Sequence, residues 1–198
     1  MQVLENVSLK PYNTFGIDCT ARFFAIVNTK SDLRRIYAEP EFLKLPKLIL
    51  GAGSNVLLCG DFEGLVLKIN LKGIEVLADG SIKVQAGENW HEFVLWSLAN
   101  GYNGLENLSL IPGNVGTAPM QNIGAYGVEL KDVFFELEAF HIASKEMHVF
   151  SKSKCEFGYR ESVFKSIHRG KYVILSVTFK LKTDTVVDVK YGAIQRVL

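Results

Sequence analysis

The chain has 198 residues and a formal net charge of +1, with 48% apolar and 22% charged residues. Such a composition buries a core and lies far from the disordered regime, and the length suits one large domain or two small lobes. Acids and bases are interspersed, so no basic face offers itself for neutralising phosphates, and this argues against a nucleic-acid partner.

The first ten residues lack the charged start and apolar run of an export signal, and no apolar stretch reaches the length of a bilayer span, so no membrane association is expected. In chain order, residues 23–27 read as a strand. Residues 31–38 read as a helix closed off by Pro40. Residues 47–50 and 64–69 follow as short apolar strands, and a soft boundary between lobes falls near residues 71–73. Strand 82–86 precedes the better of two helices, residues 90–100. Asn89 is placed to cap that helix, Glu92 to complete a capping box, and Gly101 to stop it. Its apolar face is assigned to Phe93, Leu95, Trp96 and Leu98, with the indoles in the core rather than against a ligand. Strands 133–142 and 172–181 complete the pattern. Many strands with few helices indicate an α+β fold. Residues 192–198 read as the opening of another element, as expected of a fragment of a longer chain. Cys19, Cys59 and Cys155 form no C-x-x-C pair and are odd in number, so they read as reduced packing residues of a cytoplasmic protein.

Two segments stand apart. In Gly51-Ala52-Gly53-Ser54-Asn55-Val56, glycines and small polar residues separate two β-like runs. This is either a hairpin turn or a cradle of backbone N–H groups for a phosphate. It lacks the third glycine and following helix of a dinucleotide fingerprint, and it has no P-loop lysine. The second segment, residues 111–127, holds four glycines, two prolines and no charge. It suits either a buried crossover loop or a backbone wrapped on a planar polar ligand, with Thr117, Gln121 and Asn122 offered for hydrogen bonds. Elsewhere, Arg160 beside Glu161 has the look of a surface ion pair. His91 reads as a half-exposed helix residue without a partner, and His141, His148 and His168 show no metal-ligand spacing.

Taken together, Asn13-Thr14-Phe15-Gly16, Gly51-Ala52-Gly53-Ser54-Asn55, Ala86-Gly87-Glu88, Gly104-Leu105-Glu106, Ile111-Pro112-Gly113, Gln121-Asn122-Ile123-Gly124-Ala125-Tyr126-Gly127 and Phe157-Gly158-Tyr159-Arg160 occur in an order that resembles the UDP-N-acetylenolpyruvoylglucosamine reductase family. The resemblance spans the chain, and the run from Pro119 to Gly127 is its most specific part. It implies an FAD-binding fold of the vanillyl-alcohol-oxidase type made of two α+β lobes, residues 1–71 and 72–190. Residues 191–198 would begin a C-terminal substrate region that is missing here. By the same resemblance, Gly51, Ala52, Gly53, Ser54, Asn55 and Val56 hold the FAD diphosphate. Pro112, Gly113, Gly116, Thr117, Ala118, Gln121, Asn122, Gly124, Ala125, Tyr126 and Gly127 line the rest of the cofactor, with Ile174 packed close. NADPH is the implied hydride donor and UDP-N-acetylglucosamine enolpyruvate the implied substrate, in peptidoglycan synthesis. Arg160 is the implied catalytic cation at the substrate carboxylate, and Tyr126, Tyr159 and Tyr191 are implied substrate contacts. Tyr191-Gly192 looks like the subtype whose substrate-covering loop carries a tyrosine. The family's serine proton donor and catalytic glutamate have no counterpart up to Leu198. Two other readings remain open at this point: a flavin oxidase of the same fold, and a non-catalytic nucleotide-binding module.

Overall fold

The computed structural model describes residues 1–183. Its first sheet has the order β1-β2-β4-β3 and uses β1 (Val3–Ser8), β2 (Thr20–Val27), β3 (Lys47–Leu50) and β4 (Phe62–Ile69). β1 lies antiparallel to β2, whereas β2, β4 and β3 run parallel to one another. Parallel neighbours need a crossover. Between β2 and β3 it is supplied by α1 (Lys30–Ile36) and α2 (Pro40–Leu43). A complete capping box starts α1, with Thr29 and Asp32 bonding each other's backbone N–H groups. Pro40 therefore does more than end a helix: it opens the next one at a position where its missing N–H costs nothing.

Because β3 and β4 are parallel, residues 51–61 between them are not a hairpin turn, and that reading of the first glycine segment is overturned. The second apolar run, Val56-Leu57-Leu58, is irregular and not a strand.

The second sheet is wholly antiparallel, in the order β10-β9-β11-β6-β5. It comprises β5 (Ile74–Val76), β6 (Ile82–Gln85), β9 (Phe134–His141), β10 (Met147–Ser151) and β11 (Tyr172–Phe179). At its centre β11 is buried from Val173 onward, because both of its faces are covered. Val173 and Leu175 pack with Phe140 onto Leu65, Leu67 and Ile69 of the first sheet. A bulge between Ile174 and Ser176 then re-aims the strand, and Val177 and Phe179 join Ile174 on the far side, under α3 (Trp90–Ala99).

Within α3 the buried positions are Trp90, Phe93, Val94 and Ser97, a stripe at helical spacing. Leu95 and Leu98 were assigned to that stripe but face outward, 47% and 38% exposed. Asn89 does cap the helix, its side chain accepting the Glu92 N–H at 3.1 Å. Trp90 is a core residue, its indole N–H donating to Leu108 O at 2.7 Å. Cys19 and Cys155 are buried as expected, and burial pushes the Cys155 thiol up to about 12. Cys59 is exposed, on the crossover rather than in the core. No helix among the described residues is long and apolar enough to cross a membrane.

Candidate cofactor cleft and its arginine rim

β3 ends at Leu50 and releases the chain into the first glycine segment, which is shaped by what presses on it. Gly53 has φ +71°, and a Cβ there would sit 2.0 Å from Tyr12 O. Its carbonyl accepts the Thr14 N–H at 3.1 Å, so the Asn13-Thr14 motif and the glycine motif form one contact. Gly51 needs no special φ but must be small, because a Cβ would meet Thr117 Cγ2 at 2.6 Å. Ser54 Oγ donates to Pro112 O at 3.2 Å, tying the two glycine segments together.

The second segment folds on itself. A 3-10 helix covers Val115–Gln121 and is opened by a reciprocal pair: Asn114 N–H bonds Thr117 Oγ1, and Thr117 Oγ1 donates to Asn114 O at 2.8 Å. Gly116 packs on the Ala86-Gly87-Glu88 motif, its N–H donating to Ala86 O at 3.0 Å, and a Cβ there would lie 2.5 Å from Ala86 Cβ. After Asn122, β7 (Gly124–Ala125) pairs with β8 (Val128–Glu129) around Tyr126 and Gly127, whose φ values of 49° and 81° are those of a tight two-residue hairpin.

Between the two sheets these elements leave a cleft of about 420 Å³. Ile49 and Gly51 form one wall, Ala86, Gly116 and Thr117 the next, and Tyr172 to Ile174 the third. A second hollow of about 400 Å³ adjoins it, sharing Lys47, Ile49, Gly170 and Tyr172. Of the proposed cofactor residues, Gly51, Gly116, Thr117 and Ile174 line the cleft directly. Ala52, Ser54 and Val56 are half-buried beside it, and Asn55 is exposed at the loop tip. Pro112 is exposed; Gly113 and Ala118 are buried; Gln121, Gly124 and Ala125 are half-buried.

The side chains of Thr117 and Asn122 do not reach out as expected. Thr117 Oγ1 is spent on Asn114, and Asn122 is fully buried and bonded to protein. Sequence patterns also gave no hint of Lys68, whose ammonium donates to Gly51 O from beneath the loop. Burial, and then the charge of Lys72, lower its pKa below the usual lysine value.

Arg160 sits in a turn of its own, exposed at the surface. Gly158 and Glu161 exchange backbone hydrogen bonds of 3.1 and 3.3 Å around Tyr159 and Arg160. The ion pair read from the sequence does not form: Arg160 Nη2 donates to Gly124 O at 2.7 Å, while the Glu161 carboxylate accepts the Ser162 N–H at 3.0 Å. Ser162 Oγ donates to Met120 O at 2.7 Å, fastening the turn to a cleft-lining residue. Tyr126 is exposed, Tyr159 is 87% exposed, and Tyr191 lies outside the described residues.

The expectation for His91 also changes, since its Nδ1 meets Ser109 Oγ at 3.1 Å and accepts the Leu110 N–H at 3.3 Å. His141, His148 and His168, unrelated by spacing, gather around Tyr172 with ring centroids 4.8, 5.6 and 5.1 Å away.

A glycine-walled cleft between a mostly parallel and an antiparallel sheet is the architecture of a flavin-binding domain. Residues 21–149 match the FAD binding domain family, and the chain belongs to that family. Within it, the chain is 46% identical to the UDP-N-acetylenolpyruvoylglucosamine reductase of Amoebophilus asiaticus over 202 aligned residues, 100% of this chain and 60% of that protein. It is 48% identical to the reductase of Pseudomonas putida, covering 99% of this chain and 59% of that protein. The chain thus spans about three fifths of the relatives it matches. The crystal structure of the Thermus caldophilus reductase superposes with a TM-score of 0.77 at 28% identity, covering 99% of this chain and 66% of that one. Likeness to 6-hydroxy-D-nicotine oxidase of Arthrobacter nicotinovorans, with a TM-score of 0.66 at 14% identity over 91% of this chain and 42% of the other, extends to the fold alone. The FAD-binding α+β fold expected from the sequence is the one observed.

Proposed function

We propose that this chain is the FAD-binding part of a reductase that uses NADPH to convert UDP-N-acetylglucosamine enolpyruvate to UDP-N-acetylmuramate, in the cytoplasmic stage of peptidoglycan synthesis. Residues 1–71 and 72–190 then form the two cofactor lobes, and 191–198 lead into the substrate region. The observation that carries this reading is convergence. Gly51, Ala86, Gly116, Thr117 and Met120, from three segments far apart in sequence, line one cleft, and Met120 O accepts from Ser162 beside the turn that carries Arg160.

The residues present fit FAD. A side chain at Gly51 would run into Thr117, and one at Gly116 into Ala86, so both cleft-lining positions must stay small, and the N–H groups of residues 51–55, with Ser54, suit a diphosphate. Thr117 lines the cleft with its hydroxyl turned to Asn114, and Asn122 lies buried behind the lining residues. Bound there, FAD would accept hydride from NADPH and supply it to the enolpyruvyl double bond. Everything else falls to the protein. As hydride adds, electron density moves towards the substrate carboxylate, and a fixed guanidinium there stabilises the transition state more than the ground state. The bond from Arg160 to Gly124 O aims that guanidinium before substrate arrives. Tyr126 and Tyr159, both exposed beside it, are proposed to contact the UDP-sugar.

The test is spectroscopic. The chain is incubated with FAD, desalted, and treated without oxygen first with NADPH and then with UDP-N-acetylglucosamine enolpyruvate. Flavin absorbance that survives desalting supports the cofactor assignment. In the full-length protein, reduced flavin that the UDP-sugar leaves untouched and oxygen alone restores would favour an oxidase instead.

A further inference from the structure

Asn122 ends the 3-10 helix of the cleft wall in a left-handed conformation, φ 41°, with its side chain fully buried. Few residue types besides glycine accept that backbone, and asparagine is one of them. Its amide is used on both sides. Nδ2 donates to Gly158 O at 2.9 Å and to Glu129 Oε1 at 3.0 Å, while Oδ1 accepts the Lys131 N–H at 3.0 Å. Two acceptors facing the nitrogen and one donor facing the oxygen fix the orientation of the amide. One side chain therefore joins three pieces: the end of the cofactor wall, the β8 strand after the tight hairpin, and the turn that carries Arg160.

We propose that Asn122 is a positioning residue: it holds the Arg160 turn at a set distance from the cofactor wall and so acts on the step that needs Arg160, without touching cofactor or substrate. This rests on the reading of the cleft and of Arg160 given above. Of the three bonds that fasten the turn to residues 120–124, the Asn122 bond comes from a fully buried side chain that two further bonds hold in place. The Arg160 bond to Gly124 O comes from the group that must itself meet substrate, and the Ser162 bond to Met120 O holds the other flank of the turn.

Asn122→Gly keeps the backbone conformation and removes all three side-chain bonds. Asn122→Asp keeps size and acceptor but loses the donors and sets a carboxylate against Glu129. In ligand-free protein, both variants are expected to speed amide hydrogen exchange at Gly158 and Glu161 at least about tenfold, with Thr14 and Gly116 little changed. In the FAD-loaded full-length protein, oxidation of reduced flavin by UDP-N-acetylglucosamine enolpyruvate is expected to slow at least about tenfold more than reduction of flavin by NADPH. Unchanged exchange at the turn overturns the proposal. So does equal slowing of both half-reactions, or loss of FAD in both variants, since either result makes Asn122 a general support of the cleft. If wild-type reduced flavin does not respond to the UDP-sugar, the proposed reaction fails, and the exchange pattern still decides whether Asn122 positions the turn.

Discussion

The two glycine segments face one cleft and are both free of charge, yet they keep their shapes in opposite ways. Residues 51–56 are held from outside, by Thr14 on Gly53, by Ser54 on Pro112 and by Lys68 beneath Gly51. Residues 112–127 supply much of their own hold, through the Asn114–Thr117 pair, the 3-10 helix and a tight hairpin turn, while Asn122 bonds outward to Glu129, Lys131 and Gly158. Two glycines show the demands these walls make. In the first segment Gly53 must both adopt a positive φ and let another backbone in. In the second, Gly116 needs only to be small. A loop shaped by distant partners acquires its form only once the rest of the molecule is folded, whereas a self-bonded segment brings its own.

The sharpest way to break this contrast is Gly53→Ala. The methyl would sit 2.0 Å from a backbone oxygen that no rotamer change can move, at φ +71°. A loss of about 3 kcal/mol or more is expected in urea unfolding, or failure to fold. Gly116→Ala should cost less, about 1–3 kcal/mol, because the nearest atom, Ala86 Cβ, stands at 2.5 Å and the φ carries no left-handed penalty, although Ala86 Cα and O also lie within 3.1 Å. Its larger effect should be on FAD affinity, read by fluorescence titration, since Gly116 walls the cleft.

A third variant probes the link between the sheets. Glu138 on β9 accepts from Lys30 of α1 at 2.6 Å and from Lys83 of β6 at 3.3 Å. Burial works to raise its carboxyl, but the hydrogen bonds and charges of Lys30, then Lys83, outweigh it and hold the group below its ordinary 4.5. A depressed carboxylate contributes stability that is present above its unfolded value and lost as pH falls through the folded one. Glu138→Gln is therefore expected to cost about 1–2 kcal/mol near neutrality and to flatten the acid limb of stability below about pH 4.5, seen in thermal melts across pH. The smallest effect is assigned to Asn89→Ala, about 1 kcal/mol by urea unfolding, from loss of the α3 cap.

How much could be read beforehand follows from burial. The six strands anticipated from the sequence are those with buried apolar runs, and they stand where expected within a few residues at each end. Five strands among the described residues were invisible, the two-residue β7 and β8 of the tight hairpin among them. β1 exposes most of its side chains, β5 has three residues, and β10 buries chiefly Phe150, so edge pairing rather than any run of residues defines them. Leu95 and Leu98 misled because helical phase, set by Trp90 and Phe93, overrides hydrophobicity. Around the cleft, the glycine clusters marked places of close approach, at Gly51, Gly53 and Gly116. Lys68, the His91 contacts and the inward turn of Asn122 left no such mark, because each depends on a partner that is remote in sequence.

The central claim is that both glycine segments serve one flavin cleft, and amide hydrogen exchange with and without saturating FAD tests it most directly. The account predicts slowing at residues 51–56, 113–118 and 172–174 together, with little change at the outer strand β10. Unchanged exchange at those three stretches, or slowing confined to a surface remote from them, would contradict it.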